Sequence, residues 1–277
     1  MNTQRMLTVM RTDLRQLWQS KDFWIPMGAL GLIFFVVVPA VLLSIINSVG
    51  NIGAVRQVSQ ALQLLPQAAQ RSVPQHASAG TKVSYVLAVY LLAPIAVIVP
   101  LTISTAVGSS SIVGERERGT GEFLAHSPAG VHEIYLGKLI ASLIPGYITT
   151  VVGFGLYSLM VNLIVGPDAG GWFFPTPSWW LLILWVLPPF LLIALSLVLR
   201  LSARVKSTAA AQQAAGLITF PLILIAYGQS TGALFGGSAV LISVILGGVA
   251  WAIGIALLVS GMRSLTRGRL LGVAAES

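Results

Sequence analysis

The sequence predicts an all-α polytopic membrane protein: six transmembrane helices, an amphipathic interface helix at the amino terminus and a short helix in one cytoplasmic loop. Three observations carry that prediction. Hydrophobic residues make up 56% of the 277 and charged residues only 9%, against roughly 25% charge in soluble domains, and the mean hydropathy is +0.87. Six apolar stretches are long enough to cross a hydrocarbon core of roughly 30 Å at ~1.5 Å of rise per residue. The charges gather between those stretches, above all in residues 114–138, which hold Glu115, Arg116, Glu117, Arg118, Glu122, Glu133 and Lys138. A single transmembrane domain over 1–277 accommodates all of it.

Taken in order, residues 3–20 place Leu7, Met10, Leu14, Leu17 and Trp18 on one helical face and Arg5, Arg11, Asp13 and Arg15 largely off it. That is the pattern of a helix lying in the membrane interface. A long apolar stretch follows without a small-residue cleavage site, which argues against a removable signal peptide. The first span covers 24–49, and Pro39 inside it predicts a kink because proline removes an interior hydrogen bond. Residues 50–82 are polar and glutamine-rich, with an amphipathic helix over 52–65 suited to the outer membrane surface and ended by Pro66.

The second span covers 83–107 and the third 139–165, with Pro94, Pro100 and Pro145 predicting further bends. The connector GPDAGGWFFPTPSWW places Trp172, Phe173, Phe174, Trp179 and Trp180 where aromatic rings anchor at lipid headgroups. The fourth span, 179–199, contains Pro188 and Pro189 and ends at a turn with Arg200, Arg204 and Lys206. The fifth, 209–227, contains Gln212, Gln213 and Pro221. The glycine-rich stretch 228–238 fits a short re-entrant element. In the sixth span, 239–259, Gly247, Gly248 and Gly254 allow close packing against a neighbour.

Basic residues set the orientation. The amino terminus, the 108–138 loop, the 200–208 turn and the carboxyl terminus together carry thirteen Lys and Arg, and only Arg56, Arg71 and Lys82 fall on the other side. The positive-inside rule then places both termini and the 114–138 island in the cytoplasm. The net charge of +8 points to anionic lipid rather than nucleic acid, since the basic residues flank apolar runs and form no stripe with interleaved aromatics. Without cysteine there is no disulfide framework, thiol nucleophile or cysteine zinc site.

Within the island, alternating charges, then Phe123 and Leu124, then a Ser127–Gly130 turn predict a short amphipathic helix over 115–126. An apolar pair in a charged cytoplasmic loop calls for a protein partner. The segment VGERERGTGEFLAHSPAGVHEIYLGKLIAS resembles the first cytoplasmic loop of type 2 ABC exporter permeases, in which an ExERGT element precedes an SP turn and a GK pair. Here these are Glu115, Glu117, Arg118, Gly119 and Thr120, then Ser127 and Pro128, then Gly137 and Lys138. Gly121 departs from the family pattern, where leucine is common. The interface helix, the six spans and the 228–238 stretch fit the same family.

The resemblance implies that the loop helix couples the membrane domain to a separate ABC ATPase subunit holding ATP and Mg, in a complex of two permeases and two ATPases. It makes Glu115, Glu117, Arg118, Glu122, Phe123 and Leu124 the expected coupling residues. The chain has no GxxxxGK[ST] phosphate loop of its own, because Leu139 follows Gly137 and Lys138. An ATP-independent transporter or channel, or an intramembrane enzyme or scaffold, are the other readings. His126, His132 and Glu133 form no HExxH motif, and no span carries a charged pair of the kind that relays protons. Sparse polar residues at Asn47, Asn162, Gln212 and Gln213 suit a pathway for an amphipathic or hydrophobic molecule such as a lipid, drug or peptide.

Overall fold

The computed structural model describes residues 2–49, 73–74, 77–117, 127–202, 205, 207–231 and 239–264. Helix α1 is Thr3–Gln19, capped by the Asn2 side chain, which accepts from the Gln4 amide. The first span is α2 (Lys21–Leu32), a π-helical turn (Ile33–Val37) and α3 (Val38–Val49). The second is α4 (Ala79–Val86), a π turn (Leu87–Leu91) and, after a break, α5 (Ile95–Glu117). Helix α6 (Val131–Ile164) forms the third, and α7 (Gly166–Ala169) begins the connector. The fourth joins α8 (Pro177–Leu181), a π turn (Leu182–Val186) and α9 (Leu187–Ser202). Helices α10 (Thr208–Thr231) and α11 (Ala239–Ser264) are the fifth and sixth. Among the described residues there is no strand, and six helical segments are long and apolar enough to cross a membrane.

The three π turns have a common cause in the sequence. A proline cannot donate to the carbonyl four residues before it, and its ring crowds that carbonyl. For Pro39 the carbonyl is that of Phe35, for Pro94 that of Tyr90, and for Pro188 and Pro189 those of Leu184 and Trp185; each lies within a π turn. Widening the turn by one residue moves the carbonyl aside. At Pro94 the helix also breaks, and Ala88 and Val89 offer their carbonyls to the Tyr157 hydroxyl at 2.7 Å and the Trp179 indole at 2.8 Å. Side chains of neighbouring spans thus satisfy backbone groups that lipid could not. Pro100, Pro145 and Pro221 sit inside α-helices without a π turn.

The bundle is built around α5 and α9. Helix α5 packs on α6, α9 and α10, and α9 packs also on α11, so Leu187, Leu191, Leu195 and Leu199 of α9 are wholly buried. Gly247 permits the α9–α11 side of the bundle: a Cβ there would stand 2.2 Å from the Trp185 ring, whose indole donates to the Val244 carbonyl. Gly254 likewise faces Leu192, whereas Gly248 faces open space. Helices α10 and α11 leave Leu217, Phe220, Leu241 and Ile245 exposed, the surface of a helix facing lipid or another membrane subunit.

Three expectations are corrected. Phe174 and Trp179 are not headgroup anchors but core residues, Trp179 stacked on Phe154 and Tyr157 and Phe174 edge-on to both; Trp172 and Trp180 are exposed. The reason is Asn162, expected to line a pathway, whose amide instead clamps the connector: Oδ1 accepts from the Phe173 and Phe174 amides at 3.0 and 3.1 Å, and Nδ2 donates to the Phe174 carbonyl at 2.6 Å. Second, both ends of the 114–138 island are helical. Helix α5 runs through Glu117, and α6 begins at Val131, eight residues before the expected span. Charged residues at helix ends outside the lipid core are compatible with helix, and nothing before Gly119 interrupts α5. Third, α10 continues to Thr231, into the stretch expected to re-enter. The expected helix over 52–65 and residues 232–238 lie outside the described residues.

Candidate functional site

The expected coupling loop is rooted in α5 and α6, and its roots form a charged junction with α1. Gly137 begins the construction. A Cβ at this position would lie 2.9 Å from Val9 and 3.0 Å from the Met6 carbonyl, so only glycine lets the α1 backbone lie directly on α6. That contact brings Asp13 level with Lys138. The Lys138 ammonium, on a side chain only 1% exposed, donates to Glu115 Oε1 at 2.7 Å, Asp13 Oδ2 at 3.3 Å and the Ser111 carbonyl at 2.9 Å. Its three N–H groups are thereby all used.

The same face is tied at the other end of α1. Glu133, in the first turn of α6, accepts from the Gly130 amide at 2.9 Å and from the Asn2 amide, while Arg5 donates to the Pro128 carbonyl at 2.8 Å. Helix α1 is therefore clasped along one side of 128–138 rather than resting on lipid alone. A third link leaves the opposite root. Glu117 accepts from the Thr208 amide at 2.9 Å and from the Thr208 hydroxyl, which supplies an acceptor to the unsatisfied amino end of α10 and places a negative charge at its positive pole.

The junction accordingly joins α1, α5, α6 and α10 at one end of the bundle. It consists of charge-assisted hydrogen bonds between separate helices: Lys138 ties α6 to α5 and α1, and Glu117 ties α5 to α10. A small cavity of about 90 Å³ with a mixed lining adjoins it, bounded by Asp13, Gln16, Ser110 and Ser111 together with Leu17 and Phe23.

The sequence-derived site residues fall into three groups. Glu115 and Glu117 are both present here, each with a partner inside the chain. Arg118, Glu122, Phe123 and Leu124 lie outside the described residues. Of the pathway residues, Asn162 bonds to the connector, Gln212 and Gln213 are exposed on α10, and the Asn47 side chain falls outside the described ones. Sequence reasoning missed Asp13 as a site residue and read Lys138 only as part of the GK pair. The available signal was that Asp13 is the only acidic residue in an otherwise basic interface helix.

A family model described as ABC-2 family transporter protein matches residues 7–240, from the first turns of α1 to the start of α11, a range that includes Asp13, Glu115, Glu117, Lys138 and Thr208. No curated protein matches the chain. With six membrane-spanning helices and a match over most of its length, the chain belongs to the ABC-2 family of transporter proteins, as a multi-pass permease.

Proposed function

We propose that this permease is the membrane subunit of an ATP-driven exporter, with hydrolysis performed by a separate ABC ATPase that binds ATP and Mg. The observation that supports this most directly is the junction, since both roots of the 118–126 segment are bonded to other helices. A push on that segment is delivered to α1, α6 and α10 together. Phe123 and Leu124 enter an apolar depression on the ATPase, and Arg118 and Glu122 orient the contact. Glu115 and Glu117 hold the segment's base. Two permeases and two ATPases make the complex, both termini face the cytoplasm of a bacterial or archaeal cell, and alternating access moves an amphipathic or hydrophobic substrate. Gln212 and Gln213, exposed beside Leu217 and Phe220, are the polar groups open to such a molecule or to the second permease.

The test is co-purification of the tagged permease with its ATPase from the native host, with ATP hydrolysis measured in proteoliposomes. Truncating a large side chain at the centre of a desolvated contact costs about 2 kcal/mol or more, so Phe123→Ala should weaken association on the order of 30-fold. Membrane insertion should be normal. ATP hydrolysis by permease free of any other polypeptide, or wild-type association and wild-type ATP turnover in Phe123→Ala, would overturn the proposal.

A further inference from the structure

Beside the junction, on the side of α1 away from Lys138, lies a groove that the coupling function does not use. It has a volume of about 300 Å³ and runs between Leu17 and Trp18 of α1, Trp24 and Met27 of α2, and Ile148 and Thr149 of α6. Its lining is almost wholly apolar, yet Trp18 is 81% exposed and Ile148 57% exposed. Gly28 keeps it open, since a Cβ there would meet no atom within 4 Å.

At one end the character changes. Arg11, Leu14, Arg15 and Trp18 follow one another at three- and four-residue spacings and so share a stripe of α1. Leu14 and Trp18 line the groove. Arg11 and Arg15 are exposed and make no ion pair or hydrogen bond among the described residues. Asp13, the acid that could neutralise them, is committed to Lys138 on the other face. Two exposed guanidinium groups thus share a stripe of α1 with Leu14 and Trp18, which line an apolar slot at the place where the interface helix turns into the first span.

We propose that this groove binds an anionic glycerophospholipid, with an acyl chain in the slot beside Gly28 and the phosphate and headgroup charge at Arg11 and Arg15. Guanidinium groups suit a phosphodiester because their planar donors pair with two oxygens at once. Indole rings favour the depth where chain meets headgroup. A zwitterionic lipid fills the slot equally well but lacks the net charge that the two arginines select.

The experiment uses the purified full-length permease in detergent, with native mass spectrometry counting the most tightly retained lipid when dioleoylphosphatidylglycerol and dioleoylphosphatidylcholine compete. At the strength basic side chains show towards anionic lipid, two arginines give about a 30-fold preference for phosphatidylglycerol. The double variant Arg11→Gln/Arg15→Gln should lose that preference while keeping phosphatidylcholine, and Arg263→Gln, an exposed arginine elsewhere, should leave it intact. Gly28→Leu, whose Cβ would meet no atom within 4 Å, projects into the slot and should lower occupancy by both lipids. An undiminished preference in the double variant overturns the proposal. So does unchanged occupancy in Gly28→Leu, or a Gly28→Leu variant whose oligomeric state shifts, which would make the groove a seat for a second copy of the chain.

Discussion

Replacing Lys138 with methionine isolates what the junction contributes. Methionine preserves the length and packing of the stem and removes only the ammonium. Glu115 and Asp13, each with 14% of the side chain exposed, are then left without their common cation. Breaking a buried pair by removing one partner costs about 3–5 kcal/mol, because the remaining charge is stranded; the partial access of both carboxylates to solvent places the expectation at about 3 kcal/mol. For a chain of this size that is a loss of roughly 6–12 °C in Tm. The paired variant Glu115→Gln/Lys138→Met should recover most of it, since the closer carboxylate, at 2.7 Å against 3.3 Å for Asp13, is neutralised together with the lysine. Thermal unfolding of the four proteins of this double-mutant cycle in one detergent is the assay. A Lys138→Met loss below about 1 kcal/mol, the range of exposed ion pairs, would refute the claim that the junction is a buried clamp.

The remaining predictions test the contacts around it. Glu117→Ala should cost about 1 kcal/mol, as loss of a helix cap does, and should raise hydrogen exchange selectively at the Thr208–Ala211 amides. Gly137→Leu should dislodge α1, because the new side chain would have to occupy the space of Val9 and the Met6 carbonyl; a cysteine pair at positions 13 and 138, which the cysteine-free chain permits, should then cross-link far less efficiently than in a Gly137 background. Asn162→Ala strands the Phe173 and Phe174 amides, leaving the Phe174 carbonyl only the 3.3 Å bond from the Ser158 hydroxyl, and should destabilise by about 3 kcal/mol, read as faster proteolysis of the 170–176 connector.

Much of the architecture was legible in the sequence because a bilayer imposes few solutions. Length and hydropathy determine how many helices can cross, basic flanks set their expected direction, and some prolines mark where helices deform, while Pro100, Pro145 and Pro221 sit in α-helix without a π turn. The Pro39, Pro94 and Pro188 positions all correspond to π turns. The island at 114–138 stood out for the same reason: charge is expensive inside lipid, so a dense cluster marks an exposed end of the bundle.

Tertiary structure alone decided which partner each polar group takes. Glu115 and Glu117 are two residues apart, and on a helix that separation points them to different faces; one reaches Lys138, 23 positions away, and the other Thr208, 91 positions away. No local pattern encodes either choice. Asn162 shows the same division. Its presence in a span announced a polar function, but whether it faced a solute or a backbone depended on how the connector folded back. The sequence by itself determined that this chain spans the membrane six times and where its charged end lies. Packing of α1 on Gly137, with the hydrogen bonds it brings into register, decided how that end is tied to the bundle, because close approach and ion pairing depend on three-dimensional distance and not on spacing along the chain.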